Sequence, residues 1–346
     1  MYEFFALSLG LLALAVLTSG LAGWGFATVR LARGLPLLPG EPRRQVPWGL
    51  LDLLMVVALS VVVALALGYG LQQAGLFSRP KPGGLPDVAS LRAATLADSL
   101  LKILLVAVTV ELLALRSATT LRDLGWSSAD APRDLRTGAI AFAMLAPPVF
   151  VLQAVLVQFF PSEHPLIEML KKNQDVSLLA IVAFSAAIVA PLAEELVFRV
   201  LLQGWLEKVF SWGMPSKVLL YGSETSLPRE ADDVELTETA FPADSTIPYA
   251  PRPFPAAELA ASPQAELDPP PRGVRAWLPI AISSLIFALM HWSHGPDWIP
   301  LTVLAFGLGY LYQRTHRILP SLVVHLLLNS FTLLALTLEV FLKPPE

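Results

Sequence analysis

Apolar runs of about 20 residues recur along this chain, and they constrain its fold more than any other feature. Because a helix rises about 1.5 Å per residue, a run of about 20 apolar residues crosses the hydrocarbon core of a bilayer. Charged residues make up 15% of the 346 residues, against about 25% in an average soluble domain. The sequence therefore predicts an all-α bundle of membrane-spanning helices.

Eight spans are predicted, with boundaries good to a few residues, at 4–29, 48–71, 97–115, 137–160, 178–199, 276–292, 297–313 and 318–342. The first is longer than the apolar core of a signal peptide and begins near Glu3 rather than a basic residue, so we interpret it as a retained helix. The chain divides into N-terminal membrane helices (1–177, about four spans) and a membrane core (178–342).

Arginines are concentrated in alternate loops, which predicts the orientation of the bundle. The richer loops carry Arg30, Arg33, Arg43, Arg44, Arg116, Arg122, Arg133, Arg136, Arg314 and Arg317. These loops are expected to face the cytoplasm, with both termini outside. The Ala-, Leu- and Pro-rich composition is typical of a bacterial chain, so the expected location is the plasma (inner) membrane of a bacterium.

One segment, 213–273, interrupts the membrane core. It holds 11 of the 30 prolines and ten acidic residues against four basic ones. It has too little apolar surface to form a core, so we predict a disordered cytoplasmic insertion. A tolerated surface loop and a regulatory or partner-binding segment are both compatible with this composition.

Several classes of site are excluded by composition and motif. The chain has no cysteine, which rules out disulfides, thiolate metal sites and a cysteine nucleophile. It contains neither a glycine-rich phosphate loop nor an HExxH zinc helix. A net charge of −4 and the lack of a basic, aromatic patch indicate that nucleic acid is not a partner.

The stretch PLAEELVFRVLLQGW sets Glu194, Glu195 and Arg199 in an apolar run. On a helix, Glu195 and Arg199 are four residues apart and share a face, while Glu194 is rotated by about 100°. One cation next to two carboxylates leaves one carboxylate unpaired, which suits a general base. The alternative is a charge cluster near the cytoplasmic boundary whose side chains reach water.

Two later spans carry further polar residues at helical spacing. Phe287 and His291 are four apart in the sixth span, and His325 and Asn329 are four apart in the eighth. A single membrane histidine is more often a hydrogen-bond partner between helices than a catalyst. Polar residues from three spans together nevertheless favour a common site.

Two kinds of chemistry fit this set. A carboxylate and a histidine can polarise a water molecule, while a second histidine and an amide N–H stabilise the oxyanion, which is the equipment for amide hydrolysis. Alternatively, Glu194, His291 and His325 offer the two imidazoles and one carboxylate of a catalytic zinc site. Spacing alone leaves both open.

These residues resemble the signatures of the CPBP intramembrane proteases, the Abi family of CAAX prenyl proteases and bacteriocin-processing enzymes. The signatures match as EELVFR (194–199), FALMH (287–291) and HLLLN (325–329), within 178–342. The resemblance implies the following roles: Glu194 as general base, with His291 as its partner; His325 and Asn329 as oxyanion stabilisers; Glu195 and Arg199 as a supporting ion pair. A metal-free mechanism is favoured, because an amide such as that of Asn329 is a poor zinc ligand but a good oxyanion donor; zinc remains the alternative.

The predicted depths of the site residues impose a condition. Glu194 falls in the cytoplasmic half of its span, whereas His291 falls near the outer end of its own. The two meet only if the turn at 293–297 dips into the membrane, or if the fifth helix runs on through Phe210 and places Glu194 near mid-depth.

The leading hypothesis is an intramembrane endopeptidase acting on a membrane-associated or lipidated peptide, so the expected partners are membrane lipid and a peptide or protein substrate. One alternative is a non-proteolytic membrane scaffold or immunity protein with the same fold. A transporter or proton pathway is another, since intramembrane Glu and His also mark ion routes. No inverted repeat supports a transporter.

Overall fold

The protein is described by a computed structural model that covers residues 2–41, 45–76, 87–160, 165–211, 214–222 and 273–342. The described residues form helices and loops and include no strand. The helices are α1 (Tyr2–Ala32), α2 (Leu50–Gln73), α3 (Val88–Ser117), α4 (Ala131–Phe159), α5 (Pro165–Asn173), α6 (Val176–Val209), α7 (Ser216–Tyr221), α8 (Leu278–Leu289), α9 (Trp298–Thr315) and α10 (Ile318–Thr337).

A helix lies at each of the eight predicted spans, and five of them are long and apolar enough to cross a membrane. These five are α1, α2, α4, α6 and α10 with its π-helical extension. The described residues therefore confirm an all-α architecture with five candidate membrane spans. Since α8 has only 12 residues and α3 carries several charges, the count of eight spans stays a prediction.

The fifth predicted span is longer than the sequence indicated, because α6 continues to Val209. Two stretches of α6 widen into π-helix, at Ser185–Val189 and Glu195–Gln203. Proline explains part of the first one, because Pro191 has no N–H to donate to a carbonyl in the preceding turn. Widened turns of this kind occur frequently at functional sites, and the second one contains most of the acidic motif.

The first part of the predicted insertion contains a helix. Within 213–273, α7 forms a short helix in which Leu219 O accepts a 2.9 Å hydrogen bond from Trp205 Nε1. At its end Gly222 has a φ of +97°, and a Cβ there would lie 2.3 Å from Pro47 O. The prediction of disorder is therefore wrong for the six residues of α7. Residues 223–272, which hold the acidic side chains of the segment, lie outside the described residues.

The three motif-bearing helices pack together with α4 and α9. Helix α10 packs along α4 and against α6, while α8 lies against α6 and α9. The approach of α4 to α10 is close at Gly138, where a Cβ would lie 2.6 Å from Val323 Cβ and 2.8 Å from Pro320 O. The position of α10, and of the histidine it carries, therefore depends on a glycine in its neighbour.

We expect Gly138→Ala to push α10 away from α4 and to lower the free energy of unfolding by about 1–3 kcal/mol, because an added methyl meets backbone and a branched side chain. Thermal unfolding in detergent measures the change. Gly68→Ala is the matched control, since a Cβ at that helical glycine has nothing within 4 Å. Equal stability of the two variants would contradict the close contact.

The start of α10 is anchored by charge. Arg317, just before the helix, donates from Nε to both Asp134 oxygens at 2.8 and 2.9 Å and pairs with Glu41. Burial opposes the charge on this guanidinium, but hydrogen bonds to Glu41 and Asp134 raise the pKa of Arg317 above its ordinary value. The loop after α1, the beginning of α4 and the beginning of α10 are thereby held together.

Candidate active site

The length of α6 brings its acidic motif to the middle of a span. Glu194 lies near the centre of the 34-residue helix that runs from Val176 to Val209. This is the second of the two conditions stated from the sequence, a fifth helix that runs on and carries Glu194 near mid-depth.

Glu195 and Arg199 form the buried ion pair that their spacing predicts. Arg199 Nε lies 3.4 Å from Glu195 Oε2, and both side chains are fully inaccessible to solvent. The distance is long for a hydrogen bond, so the attraction is chiefly electrostatic. On its other oxygen, Glu195 Oε1 lies 3.0 Å from His325 Nδ1. Because an ionised carboxylate only accepts, this contact assigns the proton to Nδ1 of His325.

Glu194 also reaches His325, which the sequence did not indicate. Its Oε2 lies 3.6 Å from His325 Nε2, and its side chain is 22% exposed, against 4% for the histidine. The imidazole therefore lies between two adjacent carboxylates from α6. Glu195 is enclosed by its partners, whereas Glu194 retains access to the surroundings.

His325, Glu194, Glu195 and Arg199 form one cluster of side chains, in which Nδ1 of His325 faces Glu195 and Nε2 faces Glu194.

Phe287 links the second histidine to this cluster. Its ring centroid lies 5.0 Å from that of His291 and 6.0 Å from that of His325, and the Arg199 guanidinium lies over it at 5.3 Å. His291 follows the end of α8, and its Nδ1 donates to Phe287 O at 3.0 Å. The structure thus places both histidines against one phenyl ring, while direct pairing of His291 with Glu194 stays a prediction.

Asn329 contacts the backbone of α6 through its amide. Nδ2 donates to Ala186 O at 2.8 Å. This carbonyl is available because Ala190 N–H donates to Ser185 O instead, and Pro191, the next residue, has no N–H. One N–H of Asn329 therefore stabilises the π-helical turn of α6. The amide has a second N–H, so an oxyanion role for Asn329 stays a prediction.

Sequence reasoning missed a buried serine in the network. Ser283 Oγ donates to Phe198 O at 2.8 Å and accepts from Arg199 Nη1 at 3.3 Å. Its spacing could have indicated this position, since Ser283, Phe287 and His291 follow one another at intervals of four along one helical face.

The predicted zinc ligands do not form a ligand set in the described part of the chain, where no three His, Asp or Glu side chains are arranged to hold a metal ion. The metal-free mechanism that the sequence favours and its zinc alternative both stay predictions, which a chelator experiment can separate.

Comparison with known families covers the same part of the molecule. Residues 176–224 and 265–331 match the family described as type II CAAX prenyl endopeptidase Rce1-like, and all three motifs fall inside the match. The chain has no significant match among curated proteins or solved structures. These residues are therefore similar to the Rce1-like family of type II CAAX prenyl endopeptidases, which is the CPBP (Abi) family that the motifs indicate.

Proposed function

We propose that this protein is an intramembrane endopeptidase that hydrolyses a peptide bond of a membrane-associated or lipidated peptide without a metal. Glu194 activates the water with the help of His291, and His325 and Asn329 stabilise the oxyanion. Glu195 and Arg199 support His325. The match of 176–224 and 265–331 to this family supports the protease class, and the contacts of the two glutamates support the assignment of roles.

The difference in burial between Glu194 and Glu195 is the main support for this proposal. Glu195 is fully buried, with one oxygen on His325 and the other facing Arg199. Glu194, next to it, is partly exposed and lies 3.6 Å from the far nitrogen of the same histidine. A general base must reach water and release a proton again, and Glu194 is the carboxylate of the pair that has this access.

In the proposed reaction, one water molecule is added across the scissile C–N bond. Glu194 removes a proton from water as the oxygen adds to the scissile carbonyl carbon, which forms a tetrahedral oxyanion. In the proposed mechanism His325 acts as an imidazolium: its Nδ1–H stays on Glu195, and its Nε2–H and the second N–H of Asn329 donate to that oxyanion. The proton held by Glu194 passes to the leaving nitrogen, the C–N bond breaks, and a carboxylic acid and an amine are released.

We further propose a bacterial inner-membrane location, with both termini outside and the arginine-rich loops in the cytoplasm. A cavity of about 510 Å³ supports placing these loops on one side of the bundle. Its lining comes from the loops that follow α1, α3 and α9, represented by Glu41, Arg122 and Arg317. All three are loops that the arginine distribution assigns to the cytoplasm.

Cleavage of a quenched peptide library that includes lipidated peptides, by the purified protein in liposomes, tests the proposal. We expect cleavage that persists with a chelator. Loss with chelator and recovery with zinc would instead favour the metal mechanism. If a folded protein cleaves nothing in the library, the scaffold alternative is favoured, and proton-gradient-driven flux in the same liposomes would favour a transporter.

A further inference from the structure

Ser283 connects two parts of the site with one hydroxyl. The residue lies one turn before Phe287 on α8 and is fully buried. Its Oγ–H donates to Phe198 O in the widened turn of α6, and its lone pair accepts from Arg199 Nη1. The hydroxyl therefore ties α8 to both the backbone and the guanidinium of the acidic motif.

Arg199 has few other directional contacts. Its Nε and Nη2 have no hydrogen-bond acceptor among the described residues, and Nε is 3.4 Å from Glu195 Oε2. The stacking over Phe287 and the attraction to Glu195 depend weakly on rotation of the guanidinium plane. A hydrogen bond depends strongly on direction. Ser283 is thus the contact that fixes the orientation of Arg199.

We propose that Ser283 is a positioning residue for the peptidase reaction, an inference that rests on the proposed function. By holding Arg199, it keeps the guanidinium next to Glu195 Oε2, at 3.4 Å from Nε, so that Glu195 Oε1 stays on His325 Nδ1. The orientation of His325, and with it the direction of Nε2 towards the oxyanion, then depends on a fully buried hydroxyl that takes no part in the proposed reaction steps.

The neighbouring serine provides a matched control. Ser284 is as deeply buried as Ser283 and lies on the same helix. Its Oγ has no hydrogen-bond partner in the part of the chain that the structure describes. Alanine removes the same atom at both positions, but only at Ser283 does it remove a contact with the site.

The experiment compares Ser283→Ala, Ser283→Cys and Ser284→Ala in liposomes, with kcat, KM and the thermal unfolding midpoint measured for each. We expect Ser283→Ala to lower kcat by about tenfold to a hundredfold, because small misplacement of catalytic groups has effects of this size. KM should stay within about twofold, since the serine does not contact substrate. Ser283→Cys, which keeps a weak donor and acceptor, should recover part of kcat, and Ser284→Ala should match the wild type.

Equal kcat for Ser283→Ala and Ser284→Ala would overturn the inference. A Ser283→Cys variant that folds like the wild type but recovers no part of kcat would overturn it as well. If Ser283→Ala fails to fold, Ser283→Cys is compared with Ser284→Ala in its place. A folded wild type that cleaves no peptide refutes the proposed function and this inference with it, whereas an active wild type with a fully active Ser283→Ala refutes this inference alone.

Discussion

Replacing Glu194 by glutamine is expected to abolish peptide cleavage while leaving the fold intact. The amide is nearly the same size but cannot accept a proton from water, and loss of general-base catalysis costs about 10²–10⁴ in rate. Because the Glu194 side chain is 22% exposed and lies 3.6 Å from His325 Nε2, its substitution breaks no fully buried ion pair. We expect kcat to fall by that factor, with an unfolding midpoint close to that of the wild type.

Glu111→Gln is the control for this variant. Glu111 lies on helix α3, is exposed, and belongs to none of the three motifs. Its substitution removes one carboxylate from the bundle and should leave kcat unchanged. If Glu194→Gln retained more than about a tenth of the wild-type kcat in the same assay, Glu194 would not be the general base.

The spacing of the motifs predicted the local geometry well. Residues four apart share a helical face, and this rule alone anticipated the contacts of Glu195 with Arg199 and of Phe287 with His291. The apolar runs likewise predicted helices at the correct places, because about 20 apolar residues in a row can satisfy their backbone in lipid only as a helix.

Contacts between helices could not be read in the same way. The sequence indicated that Glu194 is rotated by about 100° from the face that Glu195 shares with Arg199, whereas both glutamates lie next to His325. Spacing within one helix gives no rotation or depth relative to another, and the π-helical turns of α6 alter the register of its backbone contacts. The bond from Asn329 to Ala186 O depends on such a turn and on the missing N–H of Pro191.

Arg199→Met is expected to cause the largest loss of stability, about 3–5 kcal/mol in the free energy of unfolding, because it leaves the buried charge of Glu195 without its cation. Both side chains are fully buried, so water cannot compensate. Lys102→Met is the matched control, since Lys102 and Asp98 also form a pair four residues apart but are 25% and 48% exposed. Removing an exposed pair of this kind should change stability by less than about 1 kcal/mol. Denaturant or thermal unfolding in detergent measures both changes.

The double variant Glu195→Gln with Arg199→Met separates the cost of an unpaired charge from the value of the pair itself. Removing both charges eliminates the buried ion, and replacement of a buried pair by neutral groups is often close to neutral in stability. We therefore expect the double variant to recover most of the stability lost in Arg199→Met. It should still cleave peptide poorly, because a neutral amide at position 195 accepts a weaker hydrogen bond from His325 Nδ1 than a carboxylate does and so orients the ring less firmly. A double variant as unstable as Arg199→Met would mean that Arg199 stabilises the bundle through its packing on Phe287 rather than through charge.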